Sequence, residues 1–178
     1  MNILKAGKGI YMNITIVSVS KDEKEILRNL LEKYNYEFSQ YDEREVNDLG
    51  LYGYSYLDNY WTEKNRFLYF IKVENKLAGF IMVNDYPIAN LETNYSMSEF
   101  FVMYKYRKMG IGTFSVKNMF DKYKGKWGLM YHPKNITSKI FWNKVVNEYT
   151  NGKYEIIKNN KEAGYDDGAT AEILVFKT

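Results

Sequence analysis

The sequence YRKMGIGTFS (Tyr106–Ser115) joins a hydrophobic stretch that predicts a strand to a segment with the spacing of a helix. Gly110 and Gly112 stand one residue apart in it, directly after the basic pair Arg107 and Lys108. Glycine permits a positive φ and lets a ligand approach the main chain closely. The first turn of a helix presents unpaired N–H groups at the positive end of the helix dipole. The pattern therefore predicts an anion-binding turn between a strand and a helix.

Two common nucleotide-binding loops do not fit these residues. A dinucleotide fingerprint needs a third glycine three residues after Gly112, where Ser115 stands. A Walker loop needs Lys and then Ser or Thr after its last glycine, whereas Thr113 and Phe114 follow Gly112. What remains is an Arg-x-x-Gly-x-Gly pattern that begins at Arg107.

The rest of the chain alternates between strand patterns and helix patterns. β-branched, alternating stretches predict strands, and apolar residues at helical spacing predict helices. The predicted elements are a strand at 13–20, a helix over 20–38, a loop with a short helix over 42–62, a hairpin of 66–73 and 76–83, a strand at 94–106, a helix over 113–124, a strand at 126–132, a helix over 135–150, and strands at 152–158 and 169–178. This order predicts a mixed sheet with helices on both faces.

The composition is that of a globular domain. The chain has 178 residues, of which 46% are hydrophobic and 26% charged, and no linker or repeat divides it. We expect a single domain over residues 13–178, preceded by a peripheral segment over residues 1–12. The absence of cysteine excludes disulfides, thiolate metal sites and a cysteine nucleophile. Because His132 is the only histidine, a zinc site with several His ligands is excluded, and we expect no metal.

Charge and hydropathy narrow the class of partner. The net charge of +3 is modest, and without a block of Lys and Arg it disfavours nucleic acid while it remains compatible with an anionic ligand. No apolar run approaches the roughly 20 residues that span a bilayer. The N-terminal residues also lack the continuous apolar run of a signal peptide. These features predict a cytoplasmic protein that has no membrane partner.

The turn and its surroundings resemble the acyl-CoA pyrophosphate motif of the GNAT N-acetyltransferases. Members of that family follow the turn and helix with a strand, an Asn and an Ala-x-x-Phe-Tyr-like stretch, and this chain has Asn135 and then Phe141-Trp142. The resemblance runs from about residue 13 to the C-terminus and is most specific from Glu99 to Tyr149. It implies a GNAT-like α/β (α+β) fold: a mixed, largely antiparallel central sheet of six to seven strands, with helices on both faces and a splayed strand pair.

The resemblance also implies a function. It predicts an acetyl-CoA-dependent N-acetyltransferase that transfers an acetyl group directly to an amine of a small molecule or peptide, without a covalent enzyme intermediate. Pantetheine would fill the gap between the strand that ends at Val102 and the strand over 126–131, with an oxyanion donor near Val102. The family also allows a homodimer. The implied cofactor-binding positions are Phe100, Phe101, Val102, Arg107, Lys108, Met109, Gly110, Ile111, Gly112, Thr113, Asn135 and Trp142.

The general acid is not identified by the resemblance. Many family members place a Tyr at the position of Trp142, where the hydroxyl protonates the leaving thiolate. An indole N–H donates a hydrogen bond but does not supply such a proton. Tyr104 and Tyr131 are candidate acids because both are predicted near the splayed strands; water, or departure of the thiolate without an acid, are the alternatives.

The general base is equally open. Some family members carry a Glu at the position of Met130. His132 lies two residues on, hence on the same strand face, and its pKa range suits amine deprotonation; alternatively it is a solvated histidine before Pro133. Glu99 is the second candidate, because a carboxylate within an apolar strand is costly to bury without a partner or a role; alternatively it forms an ion pair at an open strand start. These departures keep a non-catalytic CoA-binding module or sensor of the same fold as the alternative function.

The acceptor site has no motif of its own. We expect acceptor specificity to reside in residues 42–62 and in the final strands. The aromatic residues of Tyr52–Trp61 could form a substrate wall or simply pack. Asp166 and Asp167 predict a turn before the last strand rather than a metal-binding loop.

Overall fold

The computed structural model describes residues 3–6 and 10–178 of the chain. The strands form one sheet in the order β1-β2-β3-β4-β5-β6-β8-β7. They are β1 (Ile3–Ala6), β2 (Ile10–Ser18), β3 (Arg66–Val73), β4 (Lys76–Asn84), β5 (Tyr95–Val102), β6 (Lys126–Tyr131), β7 (Tyr154–Ile157) and β8 (Glu172–Lys177). The α-helices are α1 (Lys24–Asp42), α2 (Asn59–Thr62), α3 (Ile111–Lys122) and α4 (Ile136–Thr150).

The sheet is mixed and largely antiparallel, as predicted. Within the described ranges, every pair of neighbouring strands is antiparallel except β5 and β6, which are parallel. Strands β2 to β8 supply seven strands, the upper end of the predicted number, and β1 pairs with β2 at one edge. β2 begins at Ile10, so the described part of the predicted peripheral segment contributes to the edge of the sheet.

Helices cover both faces of the sheet, which confirms the predicted layers. On one face, Val116 and Phe120 of α3 pack with Val145 of α4 in the larger core cluster. On the other face, Leu27 and Leu31 of α1 belong to a second cluster. Each fully buried side chain of this kind contributes about 1.5–3 kcal/mol. None of the helices in the described ranges combines the length and the apolar character needed to cross a membrane.

α1 begins near the predicted start and ends later than predicted. Ser20 and Glu23 form the predicted capping box, with the Ser20 N–H donating to Glu23 Oε2 at 3.1 Å. The helix continues to Asp42, one turn beyond Phe38, and ends where Glu43 adopts a φ of 60°. The extra turn keeps Tyr41 helical. Beyond it, a loop and α2 correspond to the predicted loop with a short helix.

β5 and β6 separate towards their C-terminal ends. Among the described residues, their pairing is limited to Tyr95–Met97 of β5 and Trp127–Leu129 of β6. The register of β5 against β4 also shifts, because Met82 pairs with Glu99 while Val83 pairs with Met97. A bulge of this kind bends a strand and increases its twist. The predicted splayed strand pair is confirmed, and β5 carries a bulge at the start of the gap.

Candidate active site

A cleft of about 530 Å³ opens where β5 and β6 separate. It is lined by β5, the turn before α3, the first two turns of α4 and the C-terminal half of α1. The cleft brings together ten predicted cofactor positions: Phe100, Phe101, Val102, Arg107, Lys108, Gly110, Gly112, Thr113, Asn135 and Trp142. Two others point elsewhere, since Ile111 is fully buried in the core and Met109 packs against that core.

The turn before α3 has the backbone conformation that its glycines predict. Lys108 and Gly110 both have positive φ values, of 61° and 81°. The Phe114 N–H donates to the Gly110 carbonyl at 2.9 Å, which is the first helical bond of α3. The amides of Ile111, Gly112 and Thr113 precede that bond, so they lie at the positive end of the helix dipole. We call residues 107–113 the α3 turn.

Gly112 sits against an aromatic floor. A Cβ at this position would lie 3.2 Å from Phe141 Cε2 and 3.5 Å from Phe100 Cζ. The rings of Phe100 and Phe141 stack with centroids 5.6 Å apart, and Trp142 packs 5.4 Å from Phe100. The glycine therefore keeps the start of α3 close to this floor, and Trp142 is part of the packing beneath the cleft.

Asn135 has a structural role at the start of α4. Its Oδ1 accepts a hydrogen bond from the Ser138 N–H at 2.9 Å, which caps the helix. The same side chain lines the cleft. Because the cap uses only Oδ1, the side-chain NH2 group of Asn135 remains as a hydrogen-bond donor beside the gap between β5 and β6.

Arg107 links the α3 turn to α1. Its two terminal nitrogens donate to the two carboxylate oxygens of Glu37, each at 2.7 Å, and its Nε donates to the Val102 carbonyl at 2.6 Å. The hydrogen bonds to Glu37 raise the pKa of the Arg107 guanidinium. The positive charge of Arg107 is therefore balanced by Glu37, whereas the sequence predicted that this charge would help to bind the anion.

The Val102 main chain faces the gap. The Met103 N–H donates to the Ala78 carbonyl at 2.8 Å, so Met103 bonds towards β4. Main-chain groups alternate between the two sides of an antiparallel strand, which directs the Val102 N–H and carbonyl away from β4. With Arg107 bound to the carbonyl, the Val102 N–H is left as a donor that points into the gap.

Glu99 lies on the α1 side of β5, at the bulge. It is half-buried, and its Oε1 accepts a hydrogen bond from the Tyr54 hydroxyl at 3.3 Å. Burial raises the pKa of the Glu99 carboxyl to about 7, although hydrogen bonds from Tyr34 and Tyr54 and the charge of Arg44 act in the opposite direction. Tyr34 is among the described residues that line the cleft, whereas Glu99 is not. The Glu99 carboxylate therefore lies beside the cleft, behind the Tyr34 ring. The predicted alternative of an ion pair is not found for Glu99 within the described residues.

The structure does not bring His132 to the cleft. Its side chain is fully buried, so it is not a solvated strand-end histidine. Nδ1 accepts a hydrogen bond from the Lys134 N–H at 3.1 Å, and Nε2 lies 3.3 Å from Asp167 Oδ2. The Lys134 side chain also contacts Asp167, at 2.8 Å, and this hydrogen bond lowers the pKa of Asp167 to about 2. Both ring nitrogens of His132 thus face protein groups.

The two candidate acids occupy different surroundings. Tyr131 is buried; its hydroxyl donates to Glu172 Oε2 at 3.0 Å and accepts from Asn143 at 2.7 Å. Burial raises the pKa of Tyr131 to about 12. Tyr104 is exposed and lines the cleft, with the Arg107 guanidinium 4.1 Å from its ring centroid. Of these two tyrosines, only Tyr104 lines the cleft.

Sequence reasoning missed the contribution of α1. Tyr34, Phe38 and Tyr41 line the cleft, together with Glu37 and Gln40. The three aromatic residues stand at positions i, i+4 and i+7, so they share one helix face. The predicted helix ended at Phe38, so the sequence did not place Tyr41 on this face, and it did not show which strand the face would cover.

The segment Tyr52–Trp61, expected to form either a substrate wall or a packing segment, packs against the protein, and none of its residues is among the described residues that line the cleft. The Tyr54 hydroxyl donates a hydrogen bond to Glu99. Tyr60 is buried in the core, and the Trp61 indole donates to the Val19 carbonyl at 3.2 Å.

Known structures share this fold. An acetyltransferase of the GNAT family from Streptococcus agalactiae superposes with a TM-score of 0.64 at 12% identity, and 99% of each chain is covered. An acetyltransferase from Thermus thermophilus has a TM-score of 0.64 at 11% identity, with 93% of this chain and 97% of that chain covered. A GNAT family acetyltransferase from Elizabethkingia anophelis, solved with acetyl-CoA bound, has a TM-score of 0.60 at 18% identity, with 93% of this chain and 99% of that one covered.

Sequence comparison gives the family directly. No curated protein matches this chain. The family model described as "Acetyltransferase (GNAT) family" matches residues 24–144, which is more than half of the chain and includes the α3 turn, the splayed strands and most of α4. The chain belongs to the GNAT acetyltransferase family.

Proposed function

We propose that this protein transfers an acetyl group from acetyl-CoA directly to an amine of a small molecule or peptide. The observation that carries the proposal is the gap between β5 and β6, which leads to the α3 turn within one cleft. The acetyl-CoA bound to the relative from Elizabethkingia anophelis supports the choice of donor.

The cleft fits the donor at several points. The amides of Ile111, Gly112 and Thr113 suit the pyrophosphate, because a helix N-terminus favours an anion. A side chain at Gly112 would crowd the aromatic floor, so glycine lets the first turn of α3 and its amides lie close to that floor. Pantetheine would extend along the unpaired edge of β5, where Val102 presents its main chain, and the Asn135 amide would donate to the pantetheine arm.

The proposed chemistry needs a base and an oxyanion donor. Glu99 would take a proton from the acceptor ammonium, directly or through the Tyr34 hydroxyl, because a carboxyl whose pKa is about 7 exchanges protons readily near neutral pH. The freed amine forms a bond to the acetyl carbon, and the Val102 N–H stabilises the oxyanion. The nitrogen, now positively charged, releases its second proton to solvent, and the carbon–sulfur bond then breaks to give the amide and the thiolate. Solvent or the exposed Tyr104 would protonate the thiolate.

Ligand-dependent stabilisation and thiol release test the proposal. Acetyl-CoA at 100 times its Kd should stabilise the fold by about 2.7 kcal/mol, which is measurable as a rise in Tm. Mixing the protein, acetyl-CoA and a broad set of amines should release CoA, detected with a thiol reagent. No shift in Tm at millimolar acetyl-CoA would refute the donor and with it the enzyme.

A non-catalytic CoA-binding module is the second candidate. The observation that favours it is Trp142, which packs against Phe100 where many family members carry an acidic hydroxyl. Such a module would bind acetyl-CoA but release no CoA with any amine. Robust, amine-dependent thiol release eliminates it.

A further inference from the structure

Aromatic rings enclose Glu99 on the side of β5 that faces α1. Phe38 lies 5.9 Å from the Tyr34 ring and 6.0 Å from the Tyr165 ring, between centroids. α1 and the segment before β8 therefore meet over β5 through their rings. The Tyr34 ring also packs 6.1 Å from Phe101, the second residue after Glu99 in β5.

Two tyrosine hydroxyls, those of Tyr34 and Tyr54, donate to the carboxylate itself. Tyr54 donates to Glu99 at 3.3 Å. Burial, followed by the charge of Glu99, raises the pKa values of Tyr34, Tyr54 and Tyr165. All three hydroxyls thus stay protonated at neutral pH, and those of Tyr34 and Tyr54 donate to the carboxylate. We call Glu99 with Tyr34, Tyr54 and Tyr165 the Glu99 pocket.

The cation that acts on Glu99 is paired with another carboxylate. Arg44 is the positive group whose charge acts on Glu99. Its Nε donates to Asp42 at 2.7 Å, and one terminal nitrogen donates to Asn35 at 3.2 Å. Lys134, farther along this side, contacts Asp167 and Glu43. The basic groups that the structure describes here are already paired.

A carboxylate among aromatic rings recognises an ammonium group. The carboxylate attracts the cation, and ring faces add cation–π attraction of about 0.5–2 kcal/mol. A carboxylate on the substrate would meet Glu99 with like charge and would have to displace an existing ion pair to find a partner. Like charges at short range are strongly unfavourable in a partly desolvated site.

We propose that the acceptor is a primary amine on an alkyl or aryl body whose amine-bearing carbon carries no carboxylate. This inference rests on the proposed function and adds the class of substrate to it. In the reaction, the ammonium gives one proton to Glu99, and the free amine nitrogen then bonds to the acetyl carbon and releases a second proton to solvent. The carbon–sulfur bond breaks, and the thiolate takes a proton from solvent, so the products are an amide and CoA.

Three matched acceptors test the charge rule: 2-phenylethylamine, L-phenylalanine and L-phenylalanine methyl ester. The first two differ only in the carboxylate, and the ester keeps its bulk without its charge. With the full chain and acetyl-CoA, kcat/KM from thiol release should be at least about tenfold higher for the amine and the ester than for phenylalanine, which corresponds to about 1.4 kcal/mol. Equal or better use of phenylalanine overturns the inference.

Binding provides a second measurement that does not need turnover. Calorimetry on the protein with CoA bound should show that 2-phenylethylamine binds more tightly than phenylalanine. In Glu99→Gln this preference should fall at least threefold, whereas Glu45→Gln, which removes an exposed carboxylate of the neighbouring loop, should keep it. No binding of the amine by the CoA-bound protein also overturns the inference.

The two proposals fail in different ways. If acetyl-CoA raises the Tm and phenylalanine supports thiol release as well as the amine does, the acetyltransferase stands and the substrate class is wrong. If acetyl-CoA gives no shift in Tm, the proposed function fails before any acceptor is compared.

Discussion

The α3 turn follows the C-terminal end of β5, the Glu99 pocket surrounds a side chain of β5, and the two regions are built from different kinds of contact. The turn depends on main-chain geometry within a few consecutive residues, including the positive φ of Lys108 and Gly110. The pocket joins side chains from α1, the loop before α2, β5 and the segment before β8. Local sequence therefore encodes the first region, and tertiary packing assembles the second.

The largest effect should come from Glu99→Gln, which separates the two regions functionally. Loss of the base should lower kcat by about 100-fold or more, the usual contribution of general base catalysis. The Kd for acetyl-CoA should stay within about twofold, because the turn is untouched. Steady-state kinetics and calorimetry measure the two quantities, with Glu45→Gln as the charge-matched control. An unchanged kcat would mean that the amine arrives deprotonated or that water is the base.

Gly112→Asp should damage the other region. The carboxylate would place negative charge at the pyrophosphate and its Cβ would crowd Phe141, so the Kd for acetyl-CoA should rise by about 10- to 100-fold, or about 1.4–2.7 kcal/mol. Gly112→Asn has the same shape without the charge and should have a smaller effect. Calorimetry compares the three proteins, and unchanged affinity in Gly112→Asp would place the phosphate elsewhere.

The pH dependence of kcat/KM should come from the Glu99 pocket and not from the α3 turn. Because the folded pKa of Glu99 is about 7, kcat/KM should rise by about tenfold per pH unit below it and level off above it. The folded carboxyl binds its proton more tightly than the unfolded one, so its contribution to stability falls as pH rises from the ordinary value of 4.5 through about 7. The groups that face it are Tyr34 of α1, Arg44 and Tyr54 of the following loop, Tyr60 of α2 and Tyr165 before β8.

Denaturant unfolding from pH 5 to 8 measures this stability change, and Glu99→Gln is the reference because it lacks the titrating group. The difference in unfolding free energy between the two proteins should move in favour of the variant as pH rises. A flat difference, together with a flat rate profile, would contradict the raised pKa.

Glu37→Gln should have a smaller effect and tests the link between α1 and the α3 turn. Removing the charge weakens two hydrogen bonds to Arg107 and frees its guanidinium, at a cost of about 1–2 kcal/mol in unfolding free energy. The KM for acetyl-CoA should change by less than about fivefold, since the amides of the turn remain. A tenfold gain in affinity would mean that the freed Arg107 binds the phosphate.

His132→Ala should have the smallest effect on turnover. The residue is fully buried among rings, with Tyr165 4.5 Å away, so the cavity should lower stability by about 2–4 kcal/mol. The kcat of the folded protein should change less than about threefold at temperatures well below its Tm. A large loss of kcat at unchanged Tm would instead make His132 part of the reaction.

The sequence predicted the fold well because its signals are local. The capping box at Ser20, the alternation of the strands and the glycine turn each depend on neighbours along the chain. The bulge in β5 was not predicted, since a register shift depends on the partner strand. The extra turn of α1 was missed for the same reason: Tyr41 in that turn packs against His132, which follows β6, and Phe38 packs against Tyr165 before β8.

By itself, the sequence determined the class of the fold and the conformation of the α3 turn, because backbone preferences and dipoles act over a few residues. Only the tertiary structure decided the surroundings of the side chains. It paired Arg107 with Glu37, buried His132 beside Asp167 and placed Tyr54 on Glu99. Each of these contacts joins residues that are distant in the sequence, and burial and charge pairing at that range follow from how the layers pack rather than from sequence spacing.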